Sequence, residues 1–366
     1  MGHLLPMMDH MTLLYTPQSD DAAIERNLSA LMVAGELSDR NIDRRIATLA
    51  ERFRIYTAYY PHGLWTPGVV STSEMRNLTE VYLPLGEIRR AFDRFFAVAL
   101  RFSPFLAAST IHNAANWLDA LHGLQPLVTS PDPVFLLRRL MKDEGFRRRF
   151  IFANFLPVRY GGGFGRYPGQ AELLRSWLVK NRLRLAGGAS CLDAACGSGE
   201  GTYELALLLR ESGIKADAIN IRGVTLEPLE MFAAAHCYFP HDLQRTGRYR
   251  LHTARLREGG EIANISFTLE DLTEPVPAGE REYDIILCNG LLGGPFLHEP
   301  RELLETVRKL EGRLRKKGVM LAASRFHGGW KKATPDEAMR EIFRACGLQI
   351  FQVAEGVAGE KDKGEG

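Results

Sequence analysis

Apolar positions recur at helical spacing through roughly the first 140 residues, then give way to short apolar runs separated by amphipathic stretches. Ala22 to Ala34 and Asn41 to Tyr59 are long amphipathic segments, with Ser38 and Asp39 standing before the second as cap candidates. Leu85 to Phe102 and Phe105 to Leu121 continue the pattern, divided at Pro104, and Pro131 and Pro133 mark a further helix start. The periodicity predicts a helical bundle domain over residues 1–155, with residues 1–18 as a poorly ordered lead-in.

Gly161-Gly162-Gly163 and Gly165 read as a flexible joint, followed by a helix from Gly169 to Leu183. Beyond it the period changes. Cys191-Leu192-Asp193, Ala218 to Leu226, Ile265 to Leu269 and Tyr283 to Leu287 read as strands, with helical stretches between them. Alternation of this kind implies an α/β domain with a parallel sheet, assigned to residues 156–354. A helix from Pro335 to Ala345 and one strand, Leu348 to Val353, close it. The glycine-rich, charged segment 355–366 reads as a disordered tail.

The chemistry gathers at the strand ends. Gly197-Ser198-Gly199-Glu200-Gly201 follows the first strand and opens the run Thr202 to Leu209, a strand–turn–helix that brings backbone close to a nucleotide-like ligand. The dinucleotide fingerprint spaces its three glycines differently. Asp193, four residues ahead of Gly197, would repel a diphosphate but suits a cation. That points to S-adenosylmethionine, which carries a sulfonium and an ammonium and no phosphate. Glu227, at the end of the second strand, reads either as an acceptor for ribose hydroxyls or as a helix-start carboxylate beside Pro228. Asp271 can take the exocyclic amine of an adenine and Leu272 can cover its ring; the other reading is an exposed strand-end pair. Asn289 projects from the carboxyl end of a strand buried on both faces, or serves as a turn residue.

On these residues the chain resembles a class I S-adenosylmethionine-dependent methyltransferase, and within that class the chemotaxis receptor methyltransferase (CheR) family. The matching stretches are Ala194 to Ala206, Tyr283 to Asn289 and Leu303 to Met320, with looser likeness at Phe164-Gly165-Arg166 and from Cys237 to Tyr249. The resemblance implies a Rossmann-like sheet domain. It places Arg166 and Glu200 near the methionine end of the cofactor, Asp271 and Leu272 at the adenine, and Asn289 under the methionyl portion. The implied cofactor set is Arg166, Asp193, Ala195, Gly197, Gly199, Glu200, Glu227, Asp271, Leu272, Asn289 and Gly290. Cys288 and Asn289 are adjacent where the family has an arginine between them, and Gly293-Gly294-Pro295 stands where it has an aromatic residue. The class's sheet ends in two strands, of which only one is legible.

At 366 residues the chain suits two domains, and a net charge of +2 gives no general attraction to nucleic acid or membrane. Five cysteines without a Cys-x-x-Cys pair fit a reducing cytoplasm. No apolar run reaches membrane-spanning length and the first fifteen residues lack a signal-peptide layout. His236, His241 and His252 lack metal-ligand spacing. Arg138, Arg139 and Arg147 to Arg149 read as a solvated helix end, or as a surface for an acidic partner. Tyr160, Tyr167, His298, His327 and Trp330 are cleft candidates, with His327 and Trp330 first as substrate contacts. The expectation is a methyltransferase acting on a protein carboxylate or a small molecule, with the helical domain choosing the substrate. Lack of a compelling general base near the motifs leans toward a carboxylate acceptor, or toward a base supplied by the helical domain. The alternative is an inactive methyltransferase-like binding scaffold.

Overall fold

The computed structural model describes residues 13–60, 64–157, 163–276, 279–280, 282–324, 326 and 331–362. The chain divides into two units, one of residues 20–159 with 239–246 and one of residues 1–19, 160–238 and 247–366.

The first unit is helical. It contains α1 (Asp21–Leu31), α2 (Arg40–Tyr59), α3 (Ser73–Tyr82), α4 (Leu85–Ala99), α5 (Thr110–Asn113), α6 (Trp117–Gly123), α7 (Pro133–Lys142) and α8 (Glu144–Phe155). Side-chain caps set the starts: Asp39 accepts from the N–H groups of Asn41 and Ile42, and Asp132 accepts from Val134 ahead of the proline that opens α7. The single helix expected from Phe105 to Leu121 is instead a 3₁₀ turn, α5 and α6, because Ser109 and Asn116 each cap a new start. The core is aromatic: Phe92 stacks on Phe150 at 5.6 Å, and Phe96 meets Phe155 at 5.2 Å. Arg147 is buried, donating to the carbonyls of Leu140, Met141, Val33 and Gly35. Arg148 pairs with Glu25 and Glu144, and the Arg139 guanidinium lies 3.8 Å from the Phe146 ring centre. The basic run is therefore internal scaffolding at Arg147 rather than a wholly solvated helix end.

The second unit is α/β. Its strands are β1 (Leu14–Tyr15), β2 (Ala189–Asp193), β3 (Ile219–Thr225), β4 (Ile265–Leu269), β5 (Tyr283–Leu287), β6 (Leu314–Ala322), β7 (Leu348–Phe351) and β8 (Val357–Lys361). The helices are α9 (Pro168–Lys180), α10 (Glu200–Glu211), α11 (Pro228–His236), α12 (Leu243–Gly259), α13 (Pro300–Gly312) and α14 (Asp336–Ala345). The strands form one sheet in the order β1-β4-β3-β2-β5-β6-β8-β7. Pairings among β4, β3, β2, β5 and β6 are parallel, whereas β8 runs antiparallel to both neighbours. This is a Rossmann-like fold, with chain order reversing on either side of β2.

Two expectations are corrected here. The lead-in is not all unstructured: β1 adds to the sheet edge with Tyr15 paired to Phe267. Residues 355–362 are not a disordered tail, since β8 lies between β6 and β7 and its first three residues are buried; residues 363–366 lie outside the described residues. The glycines that suggested disorder permit that insertion. A Cβ on Gly356 would lie 2.1 Å from the Ala322 carbonyl oxygen, and one on Gly359 2.9 Å from Leu348 Cβ. No helix among the described residues is long and apolar enough to cross a membrane.

Candidate functional site

Parallel register places the carboxyl ends of β2, β3, β4 and β5 along one edge: Asp193 pairs with Gly223 and Leu287, and Thr225 pairs with Leu269. Adjacent strands lie about 4.8 Å apart, so the ends of β4 and β5 stand about 14 Å from each other. That span accommodates a nucleoside with an amino-acid chain attached.

The glycine turn sits mid-edge. It is sewn to both neighbours, with Ala194 N–H donating to the Leu287 carbonyl at 2.7 Å and Cys196 N–H to the Val224 carbonyl at 2.9 Å. Ala195, between them, is half-buried. Gly197 and Gly199 take φ of 50° and 88°, left-handed backbone that side chains disfavour. At Gly199 a Cβ would also meet Ala234 Cβ at 2.9 Å, so close packing of α10 on α11 requires the glycine twice over. No side chain caps α10.

Asp193 lies beneath this turn and is almost wholly buried. Its Oδ2 accepts from Thr202 Oγ1 at 2.8 Å, and the Ala195 N–H also donates to it. Burial raises its pKa from 3.8 to about 7, against those two hydrogen bonds, and the charges of Glu200 and Glu204 push the same way. The Cys196 thiol is likewise pushed up, by burial and then by Asp193, Glu230 and Glu200. Glu200, Glu204 and Glu230 thus gather acidic side chains around the turn, which suits a cationic group better than a diphosphate.

Glu227 is buried at the end of β3 and caps α11, its Oε1 taking the Leu229 N–H at 3.4 Å. Asp271 Oδ1 accepts from the Thr273 N–H and hydroxyl at 2.8 and 2.6 Å. Leu272 packs into the apolar cluster of Leu192, Val224 and Ile286. Asn289 forms a paired amide contact with Gln170 at 3.0 and 3.1 Å, and its Oδ1 also takes the Ala323 N–H at 2.8 Å. Both lone pairs of that oxygen are thus occupied. Gly290, at φ 75°, donates to the Ala323 carbonyl. Arg166 donates to the Phe326 carbonyl at 3.0 Å beside the Tyr167 ring.

Four residues escaped the sequence reading. Gln170 holds Asn289 across from α9. Glu355 is buried and caps α9, its two oxygens accepting from the Gly169 and Gln170 N–H groups at 3.1 Å each. Glu230 accepts from Thr225 Oγ1 and lies 4.0 Å from where a Gly197 Cβ would stand. Its spacing three residues after Glu227 was the available signal. Glu204 accepts from the Gly165 N–H.

The three histidines part ways. His236 bonds the Gln18 carbonyl, His241 bonds the Leu156 carbonyl with its pKa lowered to about 4 by burial, and His252 lies 4.1 Å from the Phe164 ring. Among the described residues no group of three or more metal-ligating side chains is placed to hold an ion. His298 is exposed beside Glu299 at 3.6 Å. Tyr160, His327 and Trp330 lie outside the described residues.

No protein-family model and no curated protein sequence matches the chain. Among solved structures it is similar to the N-methyltransferase NodS from Bradyrhizobium japonicum, at 15% identity over 53% of this chain and 97% of that one, TM-score 0.32. It is similar to the sugar N-methyltransferase KedS8 from a Streptoalloteichus species at 18% identity, over 54% and 89%, TM-score 0.34. A third is an rRNA methylase from Streptococcus thermophilus, 15% identical over 52% and 95%, TM-score 0.30. At these scores no acceptor follows from them for this chain.

Proposed function

We propose that the protein is an S-adenosylmethionine-dependent methyltransferase. The observation that carries this reading is the acidic carboxyl edge: a left-handed glycine turn on the central strand, flanked by Asp193, Glu200, Glu227 and Glu230. A cation-bearing nucleoside suits that edge in charge, and the span from Asp271 to Asn289 suits it in length. When bound, the cofactor supplies an electrophilic methyl whose bonding electrons leave with sulfur as the acceptor's lone pair forms the new bond.

The chain's own residues bind and orient. Glu227, at the end of β3, accepts the ribose hydroxyls. Asp271 Oδ2 takes the adenine amine, and Leu272 backs the ring from the apolar cluster. Ala195, Gly197, Gly199 and Gly290 allow close approach, while Arg166 and Glu200 stand at the methionine end. Asn289 acts mainly by fixing Gln170, because its carbonyl oxygen is already filled. The acceptor is a small molecule, received in the groove of about 300 Å³ between α9 and α10.

Thermal unfolding with S-adenosylhomocysteine tests the assignment. At about 100 times its Kd a ligand adds about 2.7 kcal/mol, a rise of roughly 5–11 °C for a domain of this size. NAD is expected to give no rise. Absence of a shift with millimolar S-adenosylhomocysteine overturns the reading.

A further inference from the structure

A groove of about 300 Å³ runs between α9 and α10, and its lining includes Gly201, Leu287 and Asn289 of the carboxyl edge. Its size matches the lower end of small-molecule pockets, roughly 300–1,000 Å³. Leu174, Leu205 and Leu208 give it apolar walls. Into these walls comes Glu204, one helical turn past Glu200. The Gly165 N–H satisfies its Oε1, and no basic side chain pairs with it among the described residues. Arg175, also in the lining, lies 3.8 Å from Glu172 instead. Burial pushes the Glu204 carboxyl up, and the Glu200 charge adds to this. A half-buried carboxylate that no basic side chain among the described residues pairs with, set in an apolar groove, is stabilised by a ligand that brings a positive charge.

We propose that this groove takes the methyl acceptor, and that the acceptor is a small amine with an apolar body whose nitrogen is held by Glu204. The inference rests on the methyltransferase reading above. An ammonium N–H donates to Glu204 Oε2. The proton then passes to that oxygen, the N–H bonding pair stays on nitrogen as a free lone pair, and Glu204 becomes a neutral acid. Glu211 lies in the same lining, so a second carboxylate adds to the repulsion of anions there. A carboxylate acceptor meets repulsion from both glutamates.

Calorimetric titration of the full chain with phenethylamine and, separately, hydrocinnamate tests this, each with and without saturating S-adenosylhomocysteine. Phenethylamine is expected to bind and hydrocinnamate is not. Glu204→Gln is expected to weaken the amine by about tenfold or more while S-adenosylhomocysteine binding, which reports folding, is retained. Leu208→Gln, which keeps the carboxylate and spoils a wall, is expected to weaken the amine as well. Equal amine binding by Glu204→Gln, preference for hydrocinnamate, or no amine binding at millimolar concentration overturns the proposal. Glu204-dependent amine binding in a chain that ignores S-adenosylhomocysteine would leave the groove standing and remove the cofactor reading.

Discussion

Replacing Asp193 with asparagine isolates the cost of a buried charge. The side chain is 2% exposed, and burial lifts its pKa from 3.8 to about 7. A carboxyl group raised in the folded state favours folding when protonated. Its contribution is complete below the unfolded value and is lost as pH rises through the folded one. Between those limits the loss is on the order of 4 kcal/mol. Asparagine keeps an acceptor oxygen for the Thr202 hydroxyl and the Ala195 N–H but carries no charge. Urea unfolding of both proteins, repeated from pH 4 to pH 8, gives a difference curve in which other titrating groups cancel. The variant is expected to gain on the parent steadily across that interval, by about 3–4 kcal/mol at the alkaline end. A difference that stays flat with pH would show that Asp193 ionises in the fold as easily as in water, and the argument for a negative, poorly solvated turn would fail with it.

Gly199→Ala is expected to lose roughly 1–3 kcal/mol, from left-handed backbone and the Ala234 contact, and to abolish S-adenosylhomocysteine binding; unaltered binding would move the site away from the turn. Arg147→Met strands buried carbonyls of α7 and of the chain after α1, so its chemical unfolding midpoint is expected to fall by the equivalent of about 3 kcal/mol. Gln170→Ala frees the Asn289 amide and is expected to weaken S-adenosylhomocysteine with little change in Tm, read by calorimetry. Gly359→Val is expected to give insoluble or partly unfolded protein, measured by the soluble fraction on expression, because its side chain collides with Leu348 and Phe343.

The parallel core was legible because β2 to β5 are short apolar runs ending in Asp, Thr or small polar turns, a local signal. What escaped depended on partners far away in the chain. Glu355 looks like one charge in a glycine-rich tail until α9, 185 residues earlier, presents its free N–H groups. Arg147 reads as part of a solvated cluster because the carbonyls that bury it come from the chain after α1 and from α7. Glu227 was read with two roles, of which the helix-start carboxylate is seen in its cap on the α11 N-terminus. The groove was least legible. Glu204 sits on an ordinary amphipathic helix, and only the packing of α9 beside it turns that position into the wall of a groove.

The place of β8 has a kinetic consequence. It is the last of the sheet's strands to leave the ribosome, yet it fills an interior position between β6 and β7. Until Val357 to Lys361 emerge, β6 presents an open edge of unpaired backbone beside a hydrophobic face, and β7 has no strand to join. The nascent chain therefore carries that open edge from the emergence of β6 until those strand residues arrive, and its window for edge-to-edge association closes only then.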